Sequence, residues 1–478
     1  MRLFDQFANF EFITATTAIP RPQLYAYYGI LLVIYLLFLR GLKPTYLTFT
    51  IFLIFNAGFF ESLWGNPGTV VLKSMLIVLQ AILLIRMRLR WLTKKEKLAF
   101  IAFFAFTILF YTNYALNGIN LLWGSFQYFK YIFPISLYFI IRGQNLNNSQ
   151  TEYYANLITK LLAFQVVFSV VKLLVLGFRE NIVGSLTNTG GSVGLVYAIL
   201  GIIMLWANRN KDIKGRDWLI VFALLLLPIA SNKRATWFIV PILLLVLLTE
   251  RISKTFIRNI SVLIILLPLI FYFGIRLNPS LNPEKRLWGS FDLQYAIDYA
   301  LSYSGVSEEK LEGEAAQGRW GAGMQIFRET IADPFSKESL LGWGRSRSGG
   351  TSEEFNPVDY GLRPGTMIAG FGQMIIKNGW PSMILIVYVF LMLVSTIPDP
   401  RAKGALTIYI LWDVVFYGGA LINAYGRTAM LILSIWIIKH YVLRFATCRE
   451  TVTDKSHYSK LAVATNMPQL RHQSSKIP

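Results

Sequence analysis

Chemistry in this chain has to be built largely from arginine. The segment Ser231-Asn232-Lys233-Arg234-Ala235-Thr236-Trp237 lies between two apolar runs, 218–231 and 235–249, with almost no loop between them. Two cations wedged between apolar helices are costly in lipid, so each needs a reason to be there. Lys233 reads first as a side chain reaching for the interface and second as a contact to a bound anion. Arg234 is different, because its planar guanidinium offers two parallel donors that match a phosphate or carboxylate. A second set follows at Arg319, Arg345, Arg347 and Arg363. Gly318-Arg319-Trp320 opens a helix at a point where the chain lets other groups come close. Arg345 and Arg347 flank Gly344 and Gly349, where backbone N–H groups can also face an anion. Arg328, beside Glu329 and Asp333, reads as ion-paired surface. Arginines gathered in this way suit a lipid that bears phosphate or pyrophosphate.

Other chemistries have less to work with. His440, His457 and His472 all lie at the C-terminal end, and Cys448 is the single cysteine. No intrachain disulfide can form, and no zinc or iron site is expected. Glu61, Lys73, Lys160, Lys172, Lys377 and Asp413 fall within apolar runs. Such residues are functional candidates by default. Lys73 and Lys172 near outer ends, and Lys160 near an inner end, are expected to snorkel. Asp413, beside Trp412 in mid-span, is expected to have an internal partner.

The elements that position these residues follow from composition. The chain is 54% hydrophobic and 15% charged. Soluble domains are about 45–50% apolar and about 25% charged, so an integral membrane protein is expected. Runs long enough to span, or nearly so, cover 24–39, 46–63, 70–85, 98–115, 121–141, 154–176, 190–207, 218–231, 235–249, 259–274, 380–397, 404–423 and 428–444. None alternates in the manner of a barrel strand. Lipid-exposed backbone must satisfy its own hydrogen bonds, so the spans are helices and the fold class is all-α. The first 23 residues are polar, carry Asp5 and Glu11 and lack a signal-peptide pattern, so the first span is read as an uncleaved anchor.

Charge sets the orientation. Between Gly274 and Gly365 there are 10 basic and 13 acidic residues, whereas the rest of the chain has 36 basic against 13 acidic. The excess clusters in short connectors: Arg86 to Lys97, Arg209 to Arg216, Arg251 to Arg258, Arg401 with Lys403, and the tail from Arg444. This is the positive-inside pattern, and it explains the net charge of +20 without nucleic acid. Span counts between the connectors are even, which puts the large loop outside and the C-terminus in the cytoplasm. Thirteen spans put the N-terminus outside; twelve put it inside. The expected regions are N-terminal helices over 1–273, a large extracytoplasmic loop over 274–366, C-terminal helices over 367–445 and a tail over 446–478.

The loop has structure of its own. Leu293, Tyr295, Ala296, Tyr299 and Leu301 predict a helix with a packed face. A second helix is predicted from Arg319 to Ile331, with Trp320, Met324 and Phe327 at helical spacing and Asp333-Pro334 as its stop. Gly342-Trp343-Gly344 is a turn. From Thr366 an apolar helix leads to a break at Asn378-Gly379, where Pro381 restarts it.

Taken in order, these pieces resemble the O-antigen ligase and O-antigen polymerase (Wzy-type) superfamily of bacterial envelope enzymes, over roughly residues 185–445. The carrying residues are Ser231 to Trp237; Gly318-Arg319-Trp320 with Met324, Ile326 and Asp333-Pro334; Leu341-Gly342-Trp343-Gly344; and the helix from Thr366 to Gly379. Ligases of that superfamily have a histidine at the end of the large loop. This chain has none there, Thr366 being the nearest polar side chain, so the resemblance favours polymerisation over ligation. It implies transfer of a glycan from a polyprenyl-diphosphate carrier to a sugar hydroxyl at the outer face of the bacterial cytoplasmic membrane. It also implies a chain-length regulator or other polysaccharide-assembly protein as partner. Arg234 and Arg319 would contact the diphosphate, which needs charge stabilisation more than a strong acid. Lys233, Arg345, Arg347, Arg363, Trp320 and Thr366 would assist in binding, with no cofactor and no metal. The base that takes the acceptor's proton is not identifiable among Glu312, Glu314 and Glu329. Two other classes compete: a transporter or flippase of lipid-linked glycans, and a non-catalytic envelope assembly protein. The first predicts cations through the whole membrane and internal repeats.

Overall fold

The computed structural model describes most of residues 21–207, 271–304, 319–344 and 368–415, all of 427–440, and isolated positions elsewhere. Among the described residues 83% are helical and none lies in a strand. The helices are α1 (Arg21–Leu39), α2 (Tyr46–Phe55), α3 (Ala57–Ile85), α4 (Lys94–Leu116), α5 (Leu121–Gly143), α6 (Asn148–Leu176) and α7 (Ser192–Ala207). After these come α8 (Leu293–Ser304), α9 (Arg319–Ala332), α10 (Lys337–Leu341), α11 (Gly370–Ser395), α12 (Pro400–Val415) and α13 over 427–440. Three of them, α4, α6 and α11, are long and apolar enough to cross a membrane among the described residues. Shorter apolar helices lie within α1, α2, α3, α5 and α7. The expected spans 218–231, 235–249 and 259–274 fall largely outside the described residues, as does the second half of 404–423.

One boundary differs from expectation. The runs 46–63 and 70–85 meet in the structure at Asn56, and α3 continues through the Gly-Asn-Pro-Gly stretch at 65–68. Asn56 makes the break: its side-chain amide donates to the Phe52 carbonyl at 2.8 Å, and its backbone N–H turns back on Leu53 and Ile54.

The core is assembled around α4 and α11, which pack along one another, with α5, α9, α10 and α12 laid against this pair. Phe103, Phe106 and Phe110 of α4 recur at helical spacing and are buried in one cluster with Val389, Phe390 and Leu393 of α11.

At one end of α4 sits a buried carboxylate that nothing in the apolar pattern announced. Thr93 and Glu96 form a capping box, in which the Thr93 N–H donates to Glu96 Oε2 at 2.7 Å. The other oxygen, Oε1, takes Arg142 Nε at 2.8 Å, Lys439 Nζ at 2.9 Å and the Tyr138 hydroxyl at 2.8 Å. Glu96 is fully buried and Lys439 is 6% exposed. The group ties the start of α4 to the ends of α5 and α13, and Lys95 adds a bond to the Ser395 carbonyl at the end of α11. Replacing Glu96 by Gln leaves Lys439 buried without its counter-charge. The expected cost is about 3 kcal/mol, since breaking a buried pair one-sidedly costs about 3–5. It would be read as a lowered unfolding midpoint of the purified protein, and the double variant Glu96→Gln/Lys439→Met should recover most of the loss.

Two of the lysines inside apolar runs, Lys73 and Lys172, behave differently from expectation. Lys73 and Lys172 are 5% and 1% exposed, so neighbouring helices enclose them, whereas Lys160 is exposed and is free to reach outward. Lys73 and Lys172 each make an interaction within the protein, which accounts for their burial in place of snorkelling. Asp413 is buried and engaged, in line with an internal partner.

The stretch over residues 276–290 is fixed by polar contacts. Asn282, fully buried, donates to the carbonyls of Asn278 and Arg286 at 3.0 and 2.9 Å. Arg276 lies over the Trp288 ring at 4.4 Å and bonds the Gly289 carbonyl at 2.9 Å. The Ser290 amide donates to Glu284 and holds that carboxyl below its usual range.

Candidate functional site

Residues 341–343 are attached to the helical bundle at the opposite end of α4 from Glu96, and the attachment follows from a break in α11. Gly379 has φ 76° and ψ 163°, a conformation reserved for glycine, so the helix is interrupted there. Pro381 has no N–H to give to Lys377 four residues earlier. Two carbonyls are thereby released, those of Ile376 and Lys377. The Trp343 N–H takes the first at 2.6 Å. The Asn113 side chain takes the second at 2.9 Å and also bonds the Leu341 carbonyl. Asn117 donates to the Gly342 carbonyl at 3.0 Å and to Asn113 Oδ1 at 2.8 Å.

Gly342, with φ 74° and ψ 179°, faces this break directly. A Cβ there would meet the Asn378 and Gly379 nitrogens at 2.7 Å, and a Cβ on Gly379 would strike the Leu340 carbonyl. Two stretches far apart in sequence, Gly342-Trp343-Gly344 and Asn378-Gly379, thus form one joint. Trp380 extends it by donating to the Pro334 carbonyl at 3.0 Å, and Trp343 by donating to the Tyr360 hydroxyl at 2.8 Å.

The joint holds α9 along the first part of α11. Ala322 and Ile326 are fully buried at the contact. Gly323 and Gly372 approach so closely that a Cβ on Gly372 would lie 3.0 Å from the Gly323 Cα. The other side of α9 is left open. Trp320, Met324 and Phe327 form one wall of an apolar groove of about 430 Å³, and Met383 and Val387 of α11 with Val414 of α12 form another. Phe371 closes the end nearest Trp320, ring to ring at 5.6 Å. Ile384, at 52% exposed, is on its open rim.

Of the residues expected to do chemistry, Arg319 is the first residue of α9, next to Trp320 in the groove wall. A helix start presents unpaired N–H groups and the positive end of the helix dipole, both favourable to an anion. Lys233, Arg234, Arg345, Arg347, Arg363 and Thr366 lie outside the described residues, as do Glu312 and Glu314, while Glu329 is exposed on α9. The helix expected from Thr366 begins at Gly370, and the helix expected to stop at Asp333-Pro334 ends at Ala332. Sequence reading missed Asn113 and Asn117. Their signal was two amides four residues apart at the end of an apolar run, on one face of a helix. No group of three or more His, Cys, Asp or Glu placed to hold a metal occurs among the described residues.

No protein-family model matches the chain. Neither a curated protein nor a solved structure matches it.

Proposed function

We propose that this protein is a membrane glycosyltransferase of the O-antigen polymerase type. In this reading it moves a glycan from a polyprenyl diphosphate to a sugar hydroxyl at the outer face of a bacterial cytoplasmic membrane, and extends polysaccharide in preference to making a single ligation. The chain crosses the membrane twelve or thirteen times, with residues 274–366 outside and the C-terminus in the cytoplasm. Supporting this, the basic stretch Lys94, Lys95 and Lys97 and the loop joint at Asn113 and Asn117 lie at opposite ends of α4. From Glu96 to Asn113 the helix rises about 25 Å, most of the thickness of a bilayer core.

The observation that carries the reading is the apolar groove walled by Trp320, the residue that follows Arg319 at the start of α9. A lipid-linked sugar has an isoprenoid tail and a doubly phosphorylated head. The groove offers the tail a dry wall, and Arg319, next in sequence to the groove residue Trp320, would offer the head a cation. The acceptor oxygen attacks the anomeric carbon while the bond from that carbon to the diphosphate oxygen breaks. The acceptor's proton leaves to a base or to solvent, and the diphosphate departs on its lipid, its negative charge held by guanidinium groups of Arg319 and Arg234.

Filling the groove tests this without touching a charge. Val387→Trp is expected to lower polymer yield at least about 10-fold with the protein still present in the membrane, since about 1.4 kcal/mol of lost binding is tenfold. Unchanged chain-length distribution and yield in that variant would remove the groove from the account.

A further inference from the structure

A second groove, of about 540 Å³, lies between α1 and α6, far along the chain from the loop. Leu37, Phe38 and Leu42 form one wall and Leu157 and Phe164 the other. Its polar rim is Tyr153, Asn156 and Lys160. None of these lining residues is acidic, and Lys160 and Asn156 are exposed. Lys43 stands beside the rim, its ammonium 5.6 Å from the centre of the Tyr153 ring and its backbone N–H donating to the Tyr153 hydroxyl at 2.9 Å. No ion pair among the described residues involves Lys43 or Lys160.

Depth follows from helix geometry. The first residues of α6 are polar, Asn148 to Glu152, and the tyrosine pair Tyr153-Tyr154 marks the expected interface. Lys160 lies about 10 Å further along the axis, deep enough that its stem runs in hydrocarbon and its head turns back towards the phosphate layer. Thr45, bonded to the Tyr154 hydroxyl at 2.9 Å, holds the α1–α2 connector at the same level. An apolar trough that meets two lysine ammonium groups at headgroup depth has the shape and charge of an acyl chain joined to a phosphate.

We infer that this groove is a binding site for an anionic phospholipid, one acyl chain along Phe38 and Phe164 and the phosphate between Lys160 and Lys43. The site is independent of the proposed transfer reaction. It clips α1 to α6 from the side on which the basic connectors gather.

The test is lipid retention by the purified full-length chain in mild detergent, read by native mass spectrometry after adding phosphatidylglycerol or phosphatidylcholine. The wild type should retain phosphatidylglycerol in preference, and Lys160→Gln and Lys43→Gln should each weaken retention about five-fold, the effect of one lysine at an anionic surface. Lys97→Gln, an exposed cation that does not line the groove, should retain lipid like the wild type. Far-ultraviolet spectra of all variants should coincide, since the replaced side chains are exposed. Equal retention of the two lipids, or retention by Lys160→Gln/Lys43→Gln equal to that of the wild type, would overturn the inference. So would displacement of the lipid by soluble glycerol phosphate at equal concentration, which would make the site one for free phosphate.

Discussion

Replacing Arg319 by alanine is expected to lower the proposed glycan transfer about 10²–10³-fold, the cost of removing one preorganised donor from a developing negative charge. The effect should fall on turnover more than on substrate affinity, because in the proposed reaction charge on the diphosphate grows as the sugar leaves. Arg319→Lys keeps the charge and loses the paired donors, and should retain only part of the activity. Arg328→Ala serves as the control: it is on the same helix, exposed, with Glu329 beside it, and should leave transfer unchanged. The measurement is polymer length and yield from cells that carry each variant at equal membrane abundance. Full activity in Arg319→Ala would take the first turn of α9 out of the chemistry, whatever the groove holds.

The second large effect is on assembly. Gly379→Val places a side chain in a backbone region that only glycine occupies, at about 1–3 kcal/mol. It also drives Cβ into the Leu340 carbonyl, which is backbone and cannot swing aside. Overpacking of this kind adds about 1–3 kcal/mol. The sum, about 2–6 kcal/mol, takes a large share of the 5–15 kcal/mol by which folded proteins are stable. The variant should be lost from the membrane or unfold well below the wild-type midpoint. Gly29→Val, on α1 where an added Cβ meets nothing within 4 Å, should express normally. Normal thermal stability in Gly379→Val would mean that the break in α11 does not hold the loop.

Much of this arrangement was legible before any coordinates. The helix from Arg319 to its stop at Asp333-Pro334 could be read because Trp320, Met324 and Phe327 repeat at helical spacing and a proline follows. The break at Gly379 could be read because an Asn-Gly pair precedes Trp-Pro. What the pattern could not supply was that Gly342 and Gly379 face one another, since their meeting depends on packing between stretches 37 residues apart. Glu96 was hidden for another reason. It sits among Lys94, Lys95 and Lys97, where composition reads only a basic connector, and its burial depends on Lys439 at the far end of the chain. Lys73 and Lys172 were misjudged because distance from a span's end says nothing about which neighbour covers a side chain. The arginine cluster itself, Arg234 with Arg345, Arg347 and Arg363, rests on sequence.

The most direct test is reconstitution of the purified chain in lipid nanodiscs with a polyprenyl-diphosphate oligosaccharide, followed by mass spectrometry of the glycans. Oligosaccharides longer by whole donor units are expected, with one polyprenyl diphosphate freed for each bond made and neither product with Arg319→Ala. Donor that is recovered intact, with no new glycosidic bond despite an acceptor hydroxyl being present, would contradict the proposed transfer.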